Sequence, residues 1–244
     1  MNVEQHRWFS QNLGRDMEVR VYGRGGRPLV VFPSQDGRVG DFEGFGMVDA
    51  CGRLLHAGRL TLVAVDGNDW NSWTNAHAGP AERARAHLAY DRYVVEEVFP
   101  FVIGQTGRET FWTTGCSMGA YHAANFFFRR PDLFDGVIGL SGLYQTHGFV
   151  GDFCDDNVYF NSPLYYLHGL SDPWYLDRYR QSRIVFAVGQ GAYEEDCLRD
   201  TRALEAILAE KGIPAWFDYW GRDVNHDWPW WRRMLPYFLE KLGV

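Results

Sequence analysis

The sequence predicts an α/β protein with a mostly parallel sheet covered by helices on both faces. Three observations carry that prediction. Short apolar, β-branched runs recur along the chain and end in loops of small and polar residues. Helical patterns separate these runs. A strand, a tight turn and a helix meet at Gly115-Cys116-Ser117-Met118-Gly119, which fits the Gly-x-Ser-x-Gly pattern of a nucleophile elbow.

In chain order, Met17 to Tyr22 alternates as a half-buried strand does. Arg24-Gly25-Gly26-Arg27 is a turn. Pro28 to Phe32 is continuously apolar, as a strand buried on both faces is, and it runs into Pro33-Ser34-Gln35-Asp36-Gly37. A helical stretch covers Met47 to Ala57. Leu60 to Val65 is a second buried strand, ending in Asp66-Gly67-Asn68-Asp69. Ala81 to Val98 has helical spacing. Glu109 to Thr114 is the strand before the elbow, and Ala120 to Arg130 is the helix after it, stopped by Pro131. Phe126, Phe127 and Phe128 supply the buried face of that helix. Gly136 to Leu140 and Arg183 to Val188 are further strands. Thr201 to Lys211 is an amphipathic helix that stops at Gly212, Ile213 to Trp220 is the last strand, and Trp230 to Leu242 is a closing helix. Residues 144–182 are aromatic and weakly periodic, and are expected to form a small excursion over the site within a single domain spanning 1–244.

The 244 residues, 46% of them apolar, suffice for one sizeable core. A net charge of −7 without a basic run argues against a nucleic-acid partner. No segment approaches the roughly 18 uninterrupted apolar residues of a membrane helix. The N-terminal residues lack an apolar signal core, so a cytoplasmic location is expected. Cys51, Cys116, Cys154 and Cys197 have no zinc-site spacing. Asp66, Asp69, Asp155 and Asp156 lack the spacing of a calcium loop. No metal and no cofactor are expected. The oligomeric state is not legible.

A serine hydroxyl needs a base within hydrogen-bond reach, and that base needs an orienting group. Beyond an elbow of this kind the partners follow in the order acid, then histidine. His122 is too close to Ser117 in sequence to fold back onto it, and His147 and His168 lie in the irregular excursion. His226 lies in the polar loop after the last strand, where the carboxyl ends of parallel strands offer their site loops. The acid is expected after Val188, where Glu194 is preferred and Glu195 and Asp196 stay open; acidic residues there also suit the start of the next helix. An oxyanion hole would use the amide of Met118 and one from Gln35 or Asp36.

With these pieces in place, the chain resembles the putative esterase family of α/β-hydrolases. That group includes S-formylglutathione hydrolase (esterase D), feruloyl and acetyl xylan esterases and the antigen 85 mycolyltransferases. The likeness rests on Phe32 to Gly37, Gly115 to Ala120, the loop Gly189 to Asp196, and His226-Asp227-Trp228-Pro229-Trp230-Trp231. It implies Ser117 as nucleophile, His226 as base, a carboxylate after the sixth strand as third member, and an oxyanion hole at Met118 and the Gln35–Asp36 region. The cysteine and loops of a dedicated glutathione-thioester hydrolase are not recognisable.

The expected activity is hydrolysis of a small acetyl or aryl ester, such as a sugar ester, through an acyl-enzyme. Acyl transfer to an alcohol and a silent binding module are the rival readings. Trp70, Trp73, Trp174, Trp228, Trp230 and Trp231 fall in or beside the site loops. Trp70 and Trp73 follow a strand end and are candidates for substrate binding. Trp230 and Trp231, on the closing helix, read as core.

Overall fold

The computed structural model describes residues 3–244. They form an eight-stranded sheet in the order β1-β2-β4-β3-β5-β6-β7-β8. The strands are β1 (Val3–Ser10), β2 (Arg15–Tyr22), β3 (Arg27–Phe32), β4 (Leu60–Val65), β5 (Phe111–Cys116), β6 (Phe134–Leu140), β7 (Arg183–Val188) and β8 (Trp216–Tyr219). β3 to β8 run parallel, and β2 is antiparallel to both β1 and β4. The expected strands are all present. β1 is additional: its residues are half exposed and its apolar positions few, so no alternation betrays it. A tight turn at Gly14 (φ +64°) joins it to β2. Glu97 clamps that hairpin from a helix, accepting bonds from Trp8 Nε1 and Ser10 Oγ at 2.8 Å each.

Side chains alternate across the sheet, so one strand feeds two cores. Val30, Phe32, Val63 and Val65 pack with the helix Met118–Arg129 on one face. Leu29, Val31, Leu62 and Ala64 pack with the closing helix Trp228–Lys241 on the other. The helix expected to end at Val98 continues to Thr106, through a π-helical stretch Tyr93–Val98 that directly precedes the segment carrying Pro100. A wider turn at that point accommodates a proline that would clash inside a regular helix.

The elbow helix has more than one buried face: every residue from Met118 to Phe128 is buried. Its outer side is covered by residues 144–182, which form four short helices: His147–Val150, Asp156–Tyr159, Pro163–Gly169 and Pro173–Gln181. Tyr121 donates to the Asn161 carbonyl at 2.8 Å, and Tyr166 to Asn125 Oδ1 at 3.2 Å. Tyr179 donates to the Phe128 carbonyl. The excursion therefore roofs the length of the elbow helix. Val150, from its first helix, reaches Met118 beside the elbow itself.

The flanking glycines of the elbow are required by backbone contact. A Cβ on Gly115 would stand 2.3 Å from the Gly119 carbonyl carbon, and one on Gly119 would stand 2.4 Å from the Phe32 oxygen. Neither obstacle is a side chain that could swing aside. Gly104, in the last turns of the long helix, has nothing within 4 Å of such a Cβ. We expect Gly119→Ala to cost at least about 3 kcal/mol in urea unfolding. Gly104→Ala should gain about 0.5–1 kcal/mol. Equal midpoints for the two variants would contradict the contact.

Candidate active site

β3 and β5 are sheet neighbours whose chain connections leave in opposite directions, so their carboxyl ends frame a crevice. Ser117 stands at the end of β5, at φ +57° and ψ −121°. A serine rarely adopts that left-handed backbone. It is held there by its own amide, which donates to the Leu140 carbonyl at 2.9 Å, and by the helix that starts at Met118. Ser117 caps the positive end of that helix.

The Ser117 Oγ lies 2.8 Å from His226 Nε2. His226 sits in the loop after β8, where its amide donates to the Ala192 carbonyl at 3.0 Å. Its Nδ1 lies 3.1 Å from Glu194 Oε2. The structure thus brings together Ser117, His226 and Glu194. The other two carboxylates stand apart: Glu195 opens the helix Glu195–Glu210, and Asp196 pairs with Arg199 at 2.6 Å. Glu194 precedes that helix without capping it through its side chain.

The Glu194 side chain is 1% exposed. A buried carboxylate needs donors. Glu194 Oε1 accepts from the Ser141 hydroxyl at 2.6 Å and the Gly189 amide at 3.3 Å. Ser141, itself at φ +52°, accepts in turn from Trp231 Nε1 at 2.9 Å. The Trp231 ring stands edge-on to His226, with centroids 4.9 Å apart and planes at 89°. Trp231 is buried as expected of a core residue, and it also braces Ser141 and His226. Ser141 escaped the sequence reading; its one signal is a small polar residue directly after an apolar strand. Cys197 was missed too: its buried Sγ is 3.8 Å from His226 Nδ1, and burial, then Glu194, push its thiol up.

The loop after β3 abuts the elbow through Gly119. Among the described residues, no hydrogen-bond acceptor engages the amides of Gln35, Asp36 or Met118. Gln35 and Asp36 are exposed, Asp36 lies at φ +55°, and its carboxylate accepts from Thr74 Oγ1. Asp66 anchors the far side of the loop. It takes two bonds from Arg38, at 2.8 and 3.0 Å, and one from the Val39 amide at 3.2 Å.

The two tryptophans part ways, and only Trp73 departs from expectation. Trp70 is half-buried beside this loop, with the guanidinium groups of Arg15 and Arg38 each 5.0 Å from its ring centre. Trp73 is completely buried and packs on His87 with centroids 4.9 Å apart, so it offers no surface to a ligand. The bulk of its ring is satisfied better by the space between the elbow helix and the first excursion helix than by the crevice.

His122, on the inner turn of the elbow helix, pairs with Asp69 at 2.9 Å, and both are buried. His87 is wholly buried beside it, with neither ring nitrogen bonded among the described residues. A cavity of about 770 Å³ lies at the other end of the elbow helix, about 18 Å from Ser117 along its axis; Arg129, Tyr166 and Tyr179 help line it.

The family model described as Putative esterase matches residues 10–242. No curated protein matches the sequence. Several solved structures share the architecture. A ferulic acid esterase superposes with a TM-score of 0.77 at 19% identity, covering 99% of this chain and 97% of that one. An S-formylglutathione hydrolase from Staphylococcus aureus gives 0.73 at 15%, covering 99% and 96%. MPT51 of Mycobacterium tuberculosis gives 0.71 at 16%, covering 99% and 98%. At these identities the likeness establishes the α/β-hydrolase fold.

Burial holds His87 well below its ordinary value, with His122 the next cause. The native protein then refuses a proton that the unfolded chain accepts below pH ~6.5. Stability from this group is full above that pH and drains as pH falls toward the lowered native value, by about 1.4 kcal/mol per pH unit. In urea unfolding between pH 6 and 5, His87→Phe should show a slope shallower by that amount. An unchanged slope would assign the loss to other groups.

Proposed function

The chain belongs to the Putative esterase family, a family of carboxylesterase-type enzymes, and from that premise we propose that Ser117, His226 and Glu194 hydrolyse a small ester through an acyl-enzyme. The observation that carries the reading is the unbroken line Ser117 Oγ to His226 Nε2 at 2.8 Å, and His226 Nδ1 to Glu194 at 3.1 Å. In this reading His226 takes the Ser117 proton as the oxygen attacks the ester carbonyl. Glu194, held by Ser141 and Gly189, keeps the remaining imidazole proton on Nδ1 and stabilises the imidazolium. The tetrahedral oxyanion is received by the amides of Met118 and of Gln35 or Asp36, at the positive end of the elbow helix. His226 returns the proton to the leaving alcohol. Water, deprotonated by the same histidine, then releases the acid.

An aromatic run supports an acetyl or aryl ester as substrate. From His226 it passes through Trp231 to Trp228, and Trp228 stacks on the 46%-exposed Phe45 with centroids 4.4 Å apart. Such a ledge suits a flat apolar group beside the scissile bond. No helix among the described residues is long and apolar enough to cross a membrane. The four unpaired cysteines favour a reducing compartment, and we place the enzyme in the cytoplasm on that ground.

Ser117→Ala should abolish fluorophosphonate labelling and lower p-nitrophenyl acetate hydrolysis by at least roughly 10⁴-fold. Undiminished turnover in that variant would end the proposal. Glu194→Gln offers Nδ1 a donor where it needs an acceptor, and should lower kcat by roughly 10⁴-fold. Ser141→Ala leaves Glu194 short of a donor, and should lower kcat roughly tenfold with little change in KM.

A further inference from the structure

Cys197 takes no part in the proposed reaction, yet it completes an unusual set of donors. Its Sγ lies 3.8 Å from His226 Nδ1, which lies 3.1 Å from Glu194 Oε2. The three ligand atoms all lie within 4.8 Å of one another. One sulfur, one imidazole nitrogen and one carboxylate oxygen suit a borderline-soft divalent cation. Zinc bonds of about 2.3 Å to sulfur and about 2.0–2.1 Å to nitrogen and oxygen give tetrahedral edges of about 3.6 Å (N to S) and about 3.4 Å (N to O). The two observed edges differ from these by only a few tenths of an ångström. Closing the third edge needs a small movement of the Cys197 and Glu194 side chains.

We propose that Glu194, Cys197 and His226 form a site for zinc or a similar soft divalent cation, and that its occupancy switches the hydrolase off. The inference rests on the catalytic reading above only for its consequence; the site itself rests on the geometry. Entry is from the His226 side, where the side chain is 19% exposed while that of Glu194 is 1% exposed. The ion binds Nδ1 through its lone pair, and the single imidazole proton then resides on Nε2. Nε2–H donates to Ser117 Oγ instead of accepting its proton, so the base is lost. The Cys197 thiol releases a proton to solvent on becoming a thiolate, and the imidazole exchanges its Nδ1 proton for one on Nε2. One proton is therefore released per ion bound, and nothing is oxidised or reduced. Glu194 Oε1 keeps Ser141 and Gly189 while Oε2 turns to the ion. Solvent fills the fourth position. Magnesium and calcium, which seek six or more oxygens, do not fit.

The test titrates metal-free enzyme with zinc sulfate while following p-nitrophenyl acetate hydrolysis. Zinc should inhibit the wild type, chelation should restore the rate, and magnesium should have no effect. Cys197→Ala, and Cys197→Ser as the variant of matched volume, should need roughly tenfold more zinc or more. Cobalt(II), added alone, should give a thiolate-to-cobalt charge-transfer band in the wild type that both variants lack. That band does not depend on turnover. Equal zinc sensitivity in the wild type and both variants, or a cobalt spectrum without the band, would overturn the site. A cobalt band in a protein that fluorophosphonate fails to label when metal-free would leave the site standing and reject the catalytic reading.

Discussion

A single buried carboxylate organises one end of this molecule. Glu194 has lost its water, so every neighbour that can donate is recruited to it: the hydroxyl after β6, the amide after β7 and the imidazole after β8. Through Ser141 the indole of the closing helix joins the same network. Three consecutive strands and a helix thus meet at one charge. A buried charge that loses a partner costs far more than the partner's own bond is worth, because the remainder stays desolvated. The ends of β6, β7 and β8 are therefore coupled, and the orientation of His226 follows from packing that begins some distance away.

The half of the site that carries Ser117 obeys a different rule. Its position depends on how closely three backbones approach: β3 at Phe32, β5 at Gly115 and the start of the elbow helix at Gly119. Steric contact sets Ser117, and polar contact sets His226 and Glu194. The two halves meet only in the 2.8 Å separation between Ser117 and His226.

Most of this architecture was legible in the chain because it repeats a local signal. Seven strands announce themselves as apolar runs, and Gly-x-Ser-x-Gly needs nothing beyond its own turn. His226 and Glu194 follow from being on loops after strands. What stayed hidden has long-range causes. Val3–Ser10 is an edge strand stabilised by its partner and by Glu97, so its residues carry little pattern of their own. Trp73 sits after a strand end like a pocket residue, but helices from elsewhere in the chain enclose it. The run of phenylalanines implied one buried face, whereas the roof built by residues 144–182 helps bury the helix on all sides from Met118 to Phe128. Ser141 and Cys197 are ordinary residues by type, and acquire meaning only from what lies within 4 Å.

That complete enclosure of the elbow helix bears on compliance. A rod packed between a sheet and a roof has little room to pivot, so the Ser117 hydroxyl is carried on a closely packed element. Whatever yielding is needed to admit and release small molecules falls to the rim, where Tyr193 is 85% exposed at a left-handed backbone angle beside Glu194. Close packing at the centre and exposure at the margin would let sequence drift retune what enters without disturbing the placement of Ser117.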